Sequence, residues 1–221
     1  MSEFNHQTII ITGAAGNLGT AVAQSFAAAG ANIVLVDIDE ERLLQTQRGL
    51  PAGTESLIIP TNLIDPESVS AMVGKAKGEF GQIDILANIA GGFTMGPLIQ
   101  ETADKEWDFM MNLNVRSIFN CCRAIIPAML ENGSGKIINI SARAAREGKA
   151  KMGPYCASKA AVITLTETLS AENRDNDINV NCILPGTIDT PRNREDMPAA
   201  DHSKWVPPQA LADVIQFLAS D

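Results

Sequence analysis

Short runs of β-branched and apolar residues alternate along the chain with longer segments of helical periodicity. Continuous apolar runs of this kind suit strands that are buried on both faces, as in a parallel sheet. The pattern predicts six strands, at residues 8–12, 32–37, 56–59, 83–87, 136–140 and 178–183. The intervening segments predict helices at residues 22–29, 39–49, 65–80, 103–132, 153–174 and 207–219.

This regular alternation predicts an α/β fold: a single, doubly wound Rossmann-type parallel sheet with helices on both faces. The 221 residues are enough for one domain, over residues 1–221, with a substantial core. The least regular stretch, residues 186–206, follows the sixth predicted strand. Because ligands bind beyond the carboxyl ends of strands in open α/β sheets, we predict that this stretch is a substrate lid.

Charge and composition narrow the functional classes. The formal net charge of −9, with no basic stripe, opposes binding to nucleic acid. Residues 1–12 lack a secretory signal pattern and no apolar run could span a bilayer, so we expect a soluble, cytoplasmic protein without a membrane partner. The cysteines lack metal-binding or disulfide spacing, so no metal is predicted and they are interpreted as core thiols: Cys121, Cys122, Cys156 and Cys182.

A glycine turn, Gly13-Ala14-Ala15-Gly16-Asn17-Leu18-Gly19, follows the first predicted strand and opens the first helix. Gly13 permits a tight turn, the small residues allow close approach of a pyrophosphate, and Gly19 allows close packing of helix and sheet. Helix N-terminal amides favour phosphate groups. Such a turn also occurs without a nucleotide, but its place between strand and helix favours a dinucleotide site.

Asp37 ends the second predicted strand, at the spacing of a carboxylate that binds the adenosine ribose hydroxyls. Its charge would repel a 2′-phosphate, and Ile38 rather than a basic residue follows it. These residues favour NAD (NADH) over NADP as the cofactor. A solvated carboxylate at a strand end is the alternative, and Arg42 would weaken the inference if its helix directs it towards the ribose.

Tyr155 and Lys159 lie four residues apart on one predicted helix, so their side chains share a face. Tyr155 is the only tyrosine in the chain. A lysine ammonium about 4 Å from the phenol would lower the tyrosine pKa by up to about three units at an effective dielectric constant of about 20. This pair is therefore a candidate for general acid/base catalysis.

Several motifs together resemble the short-chain dehydrogenase/reductase family over nearly the whole chain. They are Thr12-Gly13 with its glycine turn, Asp37, Asn88-Ile89-Ala90-Gly91, Asn114, the Tyr155/Lys159 pair and Pro185-Gly186-Thr187-Ile188, in that order. The resemblance implies an oxidoreductase acting on a small-molecule substrate. It also implies a homodimer or homotetramer in which the helices at 103–132 and 153–174 pair between subunits.

The resemblance further implies roles for individual residues. Asn114, Tyr155 and Lys159 would be catalytic, with Asn114 holding a water in a proton relay and Lys159 also holding the nicotinamide ribose. Cofactor contacts would come from Gly13, Ala15, Gly16, Asn17, Leu18, Gly19, Asp37, Ile38, Asn62, Leu63, Asn88, Ala90, Gly91, Leu113, Tyr155, Lys159, Pro185, Gly186, Thr187, Ile188 and Thr190. Substrate contacts would come from Gly92, Phe93 and Ala142.

The chain departs from the family at the serine that usually polarises the substrate carbonyl, thirteen residues before the tyrosine. Ala142 occupies that position. Ser141 is adjacent, but neighbouring side chains of a strand face opposite sides, so its use as a substitute stays open. Loss of one such donor typically costs about 3 kcal/mol of transition-state stabilisation, so turnover of simple ketones is expected to be slow.

The segment from Asp189 to Trp205 resembles dihydropteridine reductases, which also tend to carry alanine at the serine position. Their substrate is a quinonoid ring, which suggests reduction of a quinonoid or imine-like substrate that needs less carbonyl polarisation. The alternative is an NAD(H)-binding regulatory protein with little or no turnover, for which the missing serine is the only sequence support.

Overall fold

The computed structural model describes residues 3–220. Its six strands are β1 (Thr8–Thr12), β2 (Asn32–Asp37), β3 (Ser56–Pro60), β4 (Ile85–Asn88), β5 (Gly135–Ile140) and β6 (Ile178–Ile183). They form one parallel sheet in the order β3-β2-β1-β4-β5-β6. The predicted Rossmann-type sheet is confirmed, and the fourth strand begins two residues and ends one residue later than predicted.

The helices are α1 (Asn17–Ala28), α2 (Glu40–Arg48), α3 (Pro66–Phe80), α4 (Asp104–Met111), α5 (Ser117–Asn132), α6 (Gly153–Asn173), α7 (Pro191–Asp196) and α8 (Pro208–Ala219). The prediction was wrong at the start of α1, which begins at Asn17 rather than residue 22. The helix predicted over 103–132 is interrupted by a π-helical turn at Asn112–Arg116. Such turns are frequent at functional sites.

Each face of the sheet has its own hydrophobic core. Ile9 and Ile11 of β1 pack on the side that holds α1 and α8, with Phe26 among their neighbours. Ile10 packs on the opposite side, against α3, α5 and α6, with Ile125 among its neighbours. Burial of each such side chain stabilises the fold by about 1.5–3 kcal/mol. Because successive strand residues are buried on opposite faces, almost every position is apolar, and the strands could be predicted from apolar runs.

The strand order reverses between β1 and β4, which lie side by side at the middle of the sheet. Open α/β sheets bind ligands in the crevice beyond the carboxyl ends of their strands at such a reversal. The glycine turn after β1 and the loop after β4 therefore border the crevice where a cofactor is expected.

Residues 186–206 are more regular than predicted, because they contain α7 and a short 3-10 turn. The two ends of this segment meet in a parallel bridge between Ile188 and Val206. The Asp189 N–H donates to the Val206 carbonyl at 2.8 Å, and the Asp189 carboxylate pairs with Arg194. The segment is thus a closed loop anchored beside the end of β6. Over the described residues, none of the helices is both long and apolar enough to cross a membrane.

Candidate active site

The glycine turn after β1 is locked against the loop after β4. Gly13 has a φ of 68°, and a Cβ there would lie 2.8 Å from the Ala90 backbone nitrogen. A Cβ on Gly19 would collide with the Gly13 carbonyl. The Thr12 hydroxyl oxygen accepts hydrogen bonds from the Ile89 and Ala90 N–H groups at 3.1 and 3.2 Å. Only glycine fits at these two positions, which brings the two predicted cofactor loops together.

Helix α1 is built to receive an anion. Its N-cap is Gly16, no side chain caps its first turn, and that turn carries no acidic residue. The free N–H groups and the helix dipole at such an N-terminus favour phosphate groups. Asn17 and Leu18 form the first turn of α1, directly after Ala15 and Gly16. The residues of this turn therefore fit a dinucleotide pyrophosphate.

Asp37 lies at the carboxyl end of β2, beside the glycine turn. Its Oδ2 accepts a hydrogen bond from the Ala15 N–H at 3.3 Å, and its Oδ1 accepts one from the Ile38 N–H at 2.7 Å. The Ile38 side chain is 74% exposed. The carboxylate is thus held in a fixed place at the β2 side of the crevice, with an apolar side chain beside it.

The predicted catalytic residues meet at the loop after β4. A Cβ on Gly91 would lie 2.8 Å from Oδ1 of Asn114 and 3.2 Å from Nζ of Lys159. The Tyr155 ring is packed edge-on against Phe93, with the ring centroids 4.9 Å apart. Asn114 comes from the π-helical turn, and Tyr155 and Lys159 come from α6. The structure therefore brings these three residues close to the predicted substrate residue Phe93 in the loop after β4.

Asn114 is fully buried and its side-chain amide is used within the protein. Oδ1 accepts from the Gly92 N–H at 2.9 Å, while Nδ2 donates to the Gly92 carbonyl at 3.1 Å and to the Ser158 hydroxyl at 3.0 Å. The Ser158 hydroxyl donates in turn to the Tyr155 carbonyl at 2.8 Å. Asn114 thus fixes the β4 loop against the helix that carries Tyr155. Ser158 was not among the predicted site residues, because no motif or spacing distinguishes it in the sequence.

Burial shifts the pKa values of the central pair. Desolvation raises the pKa of Tyr155 above its usual value, with a smaller contribution from Cys156. Desolvation lowers the pKa of Lys159 to about 8, and its Nζ donates to the Ile140 carbonyl at 2.9 Å. The expected lowering of the Tyr155 pKa was therefore wrong in direction, because burial of the phenol dominates the shift.

Replacing Lys159 with Met is expected to stabilise the fold by about 2 kcal/mol at pH 7. Lys159 is 5% exposed, and a pKa lowered from 10.5 to about 8 corresponds to a cost of about 3 kcal/mol for holding the buried charge. Loss of the hydrogen bond to Ile140 returns about 1 kcal/mol of that gain. Urea unfolding of both proteins measures the difference.

The stability difference between the wild type and Lys159→Met should depend on pH. Between the folded-state pKa of about 8 and 10.5, unfolded Lys159 binds a proton that the folded side chain has lost, so wild-type stability rises with pH there. The advantage of Lys159→Met should therefore shrink as the pH rises from 8 to 10. Lys75→Met, at an exposed position of α3, is the matched control and should show no such trend. An advantage that grows with pH would contradict this account.

The Ser141 hydroxyl is buried and bonded within the protein. The residue is 2% exposed, and its hydroxyl donates to the Lys159 backbone carbonyl at 2.7 Å. Ala142 follows in extended backbone, so its side chain points to the other side. The Ser141 hydroxyl thus joins the end of β5 to α6, and the Ala142 side chain provides no hydrogen-bond donor.

Asn88 is a predicted cofactor residue whose side chain faces the core. It is 1% exposed and donates to Oδ1 of Asn139 at 2.8 Å and to Sγ of Cys122 at 3.6 Å. Asn139 donates in turn to the Thr166 hydroxyl at 2.9 Å. These bonds hold β4, β5 and α6 together beneath the crevice, so the Asn88 side chain is not free to bind a cofactor.

The other predicted contact residues follow the carboxyl ends of strands or lie in the elements above them. Asn62 and Leu63 follow β3, Leu113 lies in the π-helical turn against Gly92, Pro185, Gly186, Thr187 and Ile188 follow β6, and the Thr190 hydroxyl caps α7. The structure thus places them at the side of the sheet where the strands end.

Comparison with known proteins identifies the family. The family model described as short chain dehydrogenase matches residues 7–201. The chain belongs to the short-chain dehydrogenase family. Its sequence-based assignment is confirmed, and membership makes the protein an oxidoreductase of a family that binds nicotinamide cofactors.

Two related proteins and one solved structure support the assignment to the short-chain dehydrogenase family. The chain is 37% identical over 205 residues to dehydrogenase/reductase SDR family member 6 of Rattus norvegicus, covering 92% of this chain and 80% of the relative. It is 32% identical over 223 residues to 3-oxoacyl-[acyl-carrier-protein] reductase of Thermotoga maritima, covering 96% and 89%. The crystal structure of NAD⁺-bound xylitol dehydrogenase superposes with a TM-score of 0.90 at 25% identity, covering 99% of this chain and 94% of that chain.

Proposed function

We propose that the protein transfers hydride between NAD(H) and a small carbonyl, quinonoid or imine-like substrate, with Tyr155 as the general acid/base. The observation that carries this proposal is that the Asn114 and Lys159 side chains meet at Gly91. Tyr155 lies on the same helix as Lys159, one turn before it. This cluster lies next to the glycine turn that fits a dinucleotide. A nicotinamide cofactor bound there would supply the hydride.

Asp37 supports NAD(H) as the preferred cofactor. Its carboxylate is fixed by the Ala15 and Ile38 N–H groups, at a place suited to the ribose hydroxyls. The same negative charge opposes a 2′-phosphate. NAD(H) is therefore proposed as the working cofactor, with NADP(H) bound more weakly.

Tyr155 would donate its phenolic proton to the reduced substrate. Because burial raises its pKa, the phenol stays protonated at neutral pH, which suits donation in the reductive direction. Lys159, with a pKa of about 8, is mainly an ammonium at pH 7 and would stabilise the phenolate left behind. The Asn114 side chain is occupied, so a relay water would be held by its backbone.

The side chains at the substrate position favour a conjugated, planar substrate. Ala142 provides no donor to polarise an isolated carbonyl, and the Ser141 hydroxyl is bound to α6. The Phe93 ring is 50% exposed beside Tyr155 and offers an apolar surface for a flat ring. We therefore favour a quinonoid substrate of the dihydropterin type, covered by residues 186–206 acting as a lid.

Assembly into a homodimer or homotetramer in the cytoplasm is part of this proposal. The segment over α4 and α5 exposes large apolar side chains, as expected of a face that pairs with another subunit. They are Trp107, Phe109, Phe119 and Leu130, each 42–52% exposed.

The proposal is tested by following NADH oxidation with three substrates in parallel: quinonoid dihydropterin, a quinone and a simple ketone. Turnover is expected with the conjugated substrates and is expected to be much slower with the ketone, because no donor polarises its carbonyl. Fast turnover of ketones without reduction of dihydropterin would overturn the substrate assignment. NADH binding without oxidation of any of the three would favour the regulatory alternative.

A further inference from the structure

A cavity of about 570 Å³ lies between the loop after β6 and the end of the segment at residues 186–206. Gly186 and Thr187 of the loop line it on one side, and Lys204 and Trp205 of the segment line it on another. Its size is in the range of small-molecule sites. The cavity therefore adjoins the loop that was predicted to contact the nicotinamide.

Arg143 completes the wall of this cavity and is held there by its backbone. Its N–H donates to the Pro185 carbonyl at 3.0 Å. Its guanidinium carbon lies 3.7 Å from the place that a Cβ on Gly186 would occupy. Arg143 directly follows Ala142, the residue predicted to contact the substrate. The guanidinium thus lies between the predicted nicotinamide loop and the predicted substrate position.

The charge of Arg143 is not balanced by a carboxylate of the cavity wall. Within residues 3–220, its side chain forms neither a hydrogen bond nor an ion pair. Lys204, a second cation of the wall, is paired with Asp201 at 3.2 Å, and Asp201 also lines the cavity. The cavity therefore carries a net positive charge in a protein whose formal net charge is −9.

An unpaired guanidinium in such a cavity is suited to a carboxylate. Its N–H donors lie in one plane and match the two oxygens of a carboxylate. The protein as a whole repels anions, so a local cation is needed to hold one. The half-buried Trp205 side chain offers an apolar surface for the part of the ligand that carries the charge.

Resting on the proposed hydride transfer, we infer that the substrate carries a carboxylate and that Arg143 binds it in this cavity. Ala142 provides no donor for the reacting group, and binding energy from a remote group can position a substrate for reaction. Arg143 therefore determines specificity: it favours an acid over its neutral analogue, while Tyr155 supplies the proton in both cases.

The test follows NADH oxidation with two quinones, trimethyl-p-benzoquinone bearing a propanoate side chain and the primary amide of the same acid. They share one fully substituted ring, so they differ mainly in the charge of the side chain and do not add cysteine thiols. The wild type should show a kcat/KM at least about tenfold higher for the acid, as expected for one charge-assisted hydrogen bond. High salt should narrow the difference, because Arg143 is exposed.

Three variants assign the preference to one side chain. Arg143→Gln should lower kcat/KM for the acid at least about tenfold, through KM, and should change kcat/KM for the amide and the dissociation constant of NADH less than about threefold. Arg143→Lys keeps the charge without the paired donors and should retain a smaller preference for the acid. Arg146→Gln is the matched control, because Arg146 is also exposed but lines a different cavity, and it should change none of these values.

The outcomes separate this inference from the proposed function. Failure of the wild type to oxidise NADH with either quinone or with quinonoid dihydropterin would overturn the proposed function and this inference with it. Oxidation with equal kcat/KM for the acid and the amide would overturn the inference alone. An equal loss with both quinones in Arg143→Gln would also overturn it, because Arg143 would then act on the cofactor or the fold rather than on the carboxylate.

Discussion

Replacing Tyr155 with Phe is expected to lower the rate of hydride transfer by about 10²- to 10⁴-fold while leaving NADH binding nearly unchanged. The magnitude is that of losing a positioned general acid. The ring of Phe keeps the edge-on contact with Phe93, so only the phenolic hydroxyl is removed. The measurement is the single-turnover rate of NADH oxidation with quinonoid dihydropterin, together with the dissociation constant of NADH.

Cys156→Ser is a suitable control for Tyr155→Phe. Cys156 is the next residue of α6, and its Sγ makes a long, weak contact with the Glu147 carbonyl at 3.9 Å, so serine changes little else at this position. This variant should keep most of the activity. If Tyr155→Phe retained wild-type turnover, another group would have to be the proton donor and the assigned role would be wrong.

Replacing Ala142 with Ser is expected to raise turnover of simple ketones by about 10²-fold, with a much smaller effect on conjugated substrates. A single well-placed donor for a developing oxyanion is worth about 3 kcal/mol. Ala142 is 7% exposed in extended backbone that serine adopts equally well. The measurement is kcat/KM for a ketone and for quinonoid dihydropterin with the same NADH concentration.

Ser141→Ala separates the two neighbouring positions. The Ser141 hydroxyl is bound to the Lys159 carbonyl, so its loss should reduce stability by about 1 kcal/mol without changing the ratio of ketone to dihydropterin turnover. If Ala142→Ser gave no gain with ketones, the weak turnover of isolated carbonyls would have a cause other than the missing donor.

The fold was predictable where burial imposes a simple pattern. Strands such as β1 and β2 are buried on both faces, so their apolar runs and limits can be read directly from the sequence. The start of α1 was placed too late, because Asn17, Gly19 and Thr20 are small or polar residues that resemble a continuation of the turn. The break at Asn112–Arg116 has no proline or glycine, so nothing in the sequence marks it.

The sequence predicted which residues form the candidate site better than it predicted their pKa values. The spacing of Tyr155 and Lys159 places them on one helix face, and the structure brings Asn114 to the same place. The pKa shift of Tyr155 was predicted in the wrong direction, because the sequence does not reveal how deeply the phenol is buried. The inward orientation of Asn88 depends on contacts with other strands, which spacing alone does not show.

Hydride transfer itself is tested most directly by comparing the single-turnover oxidation of NADH with that of NADH in which both C4 hydrogens of the nicotinamide are replaced by deuterium, with quinonoid dihydropterin as the acceptor. We expect deuterium to slow the oxidation by the wild type, because the C4–H bond breaks in the transfer step, and we expect Tyr155→Phe to be slow with either cofactor. Tight NADH binding with no oxidation by the dihydropterin, a quinone or a ketone would contradict hydride transfer and favour a regulatory protein.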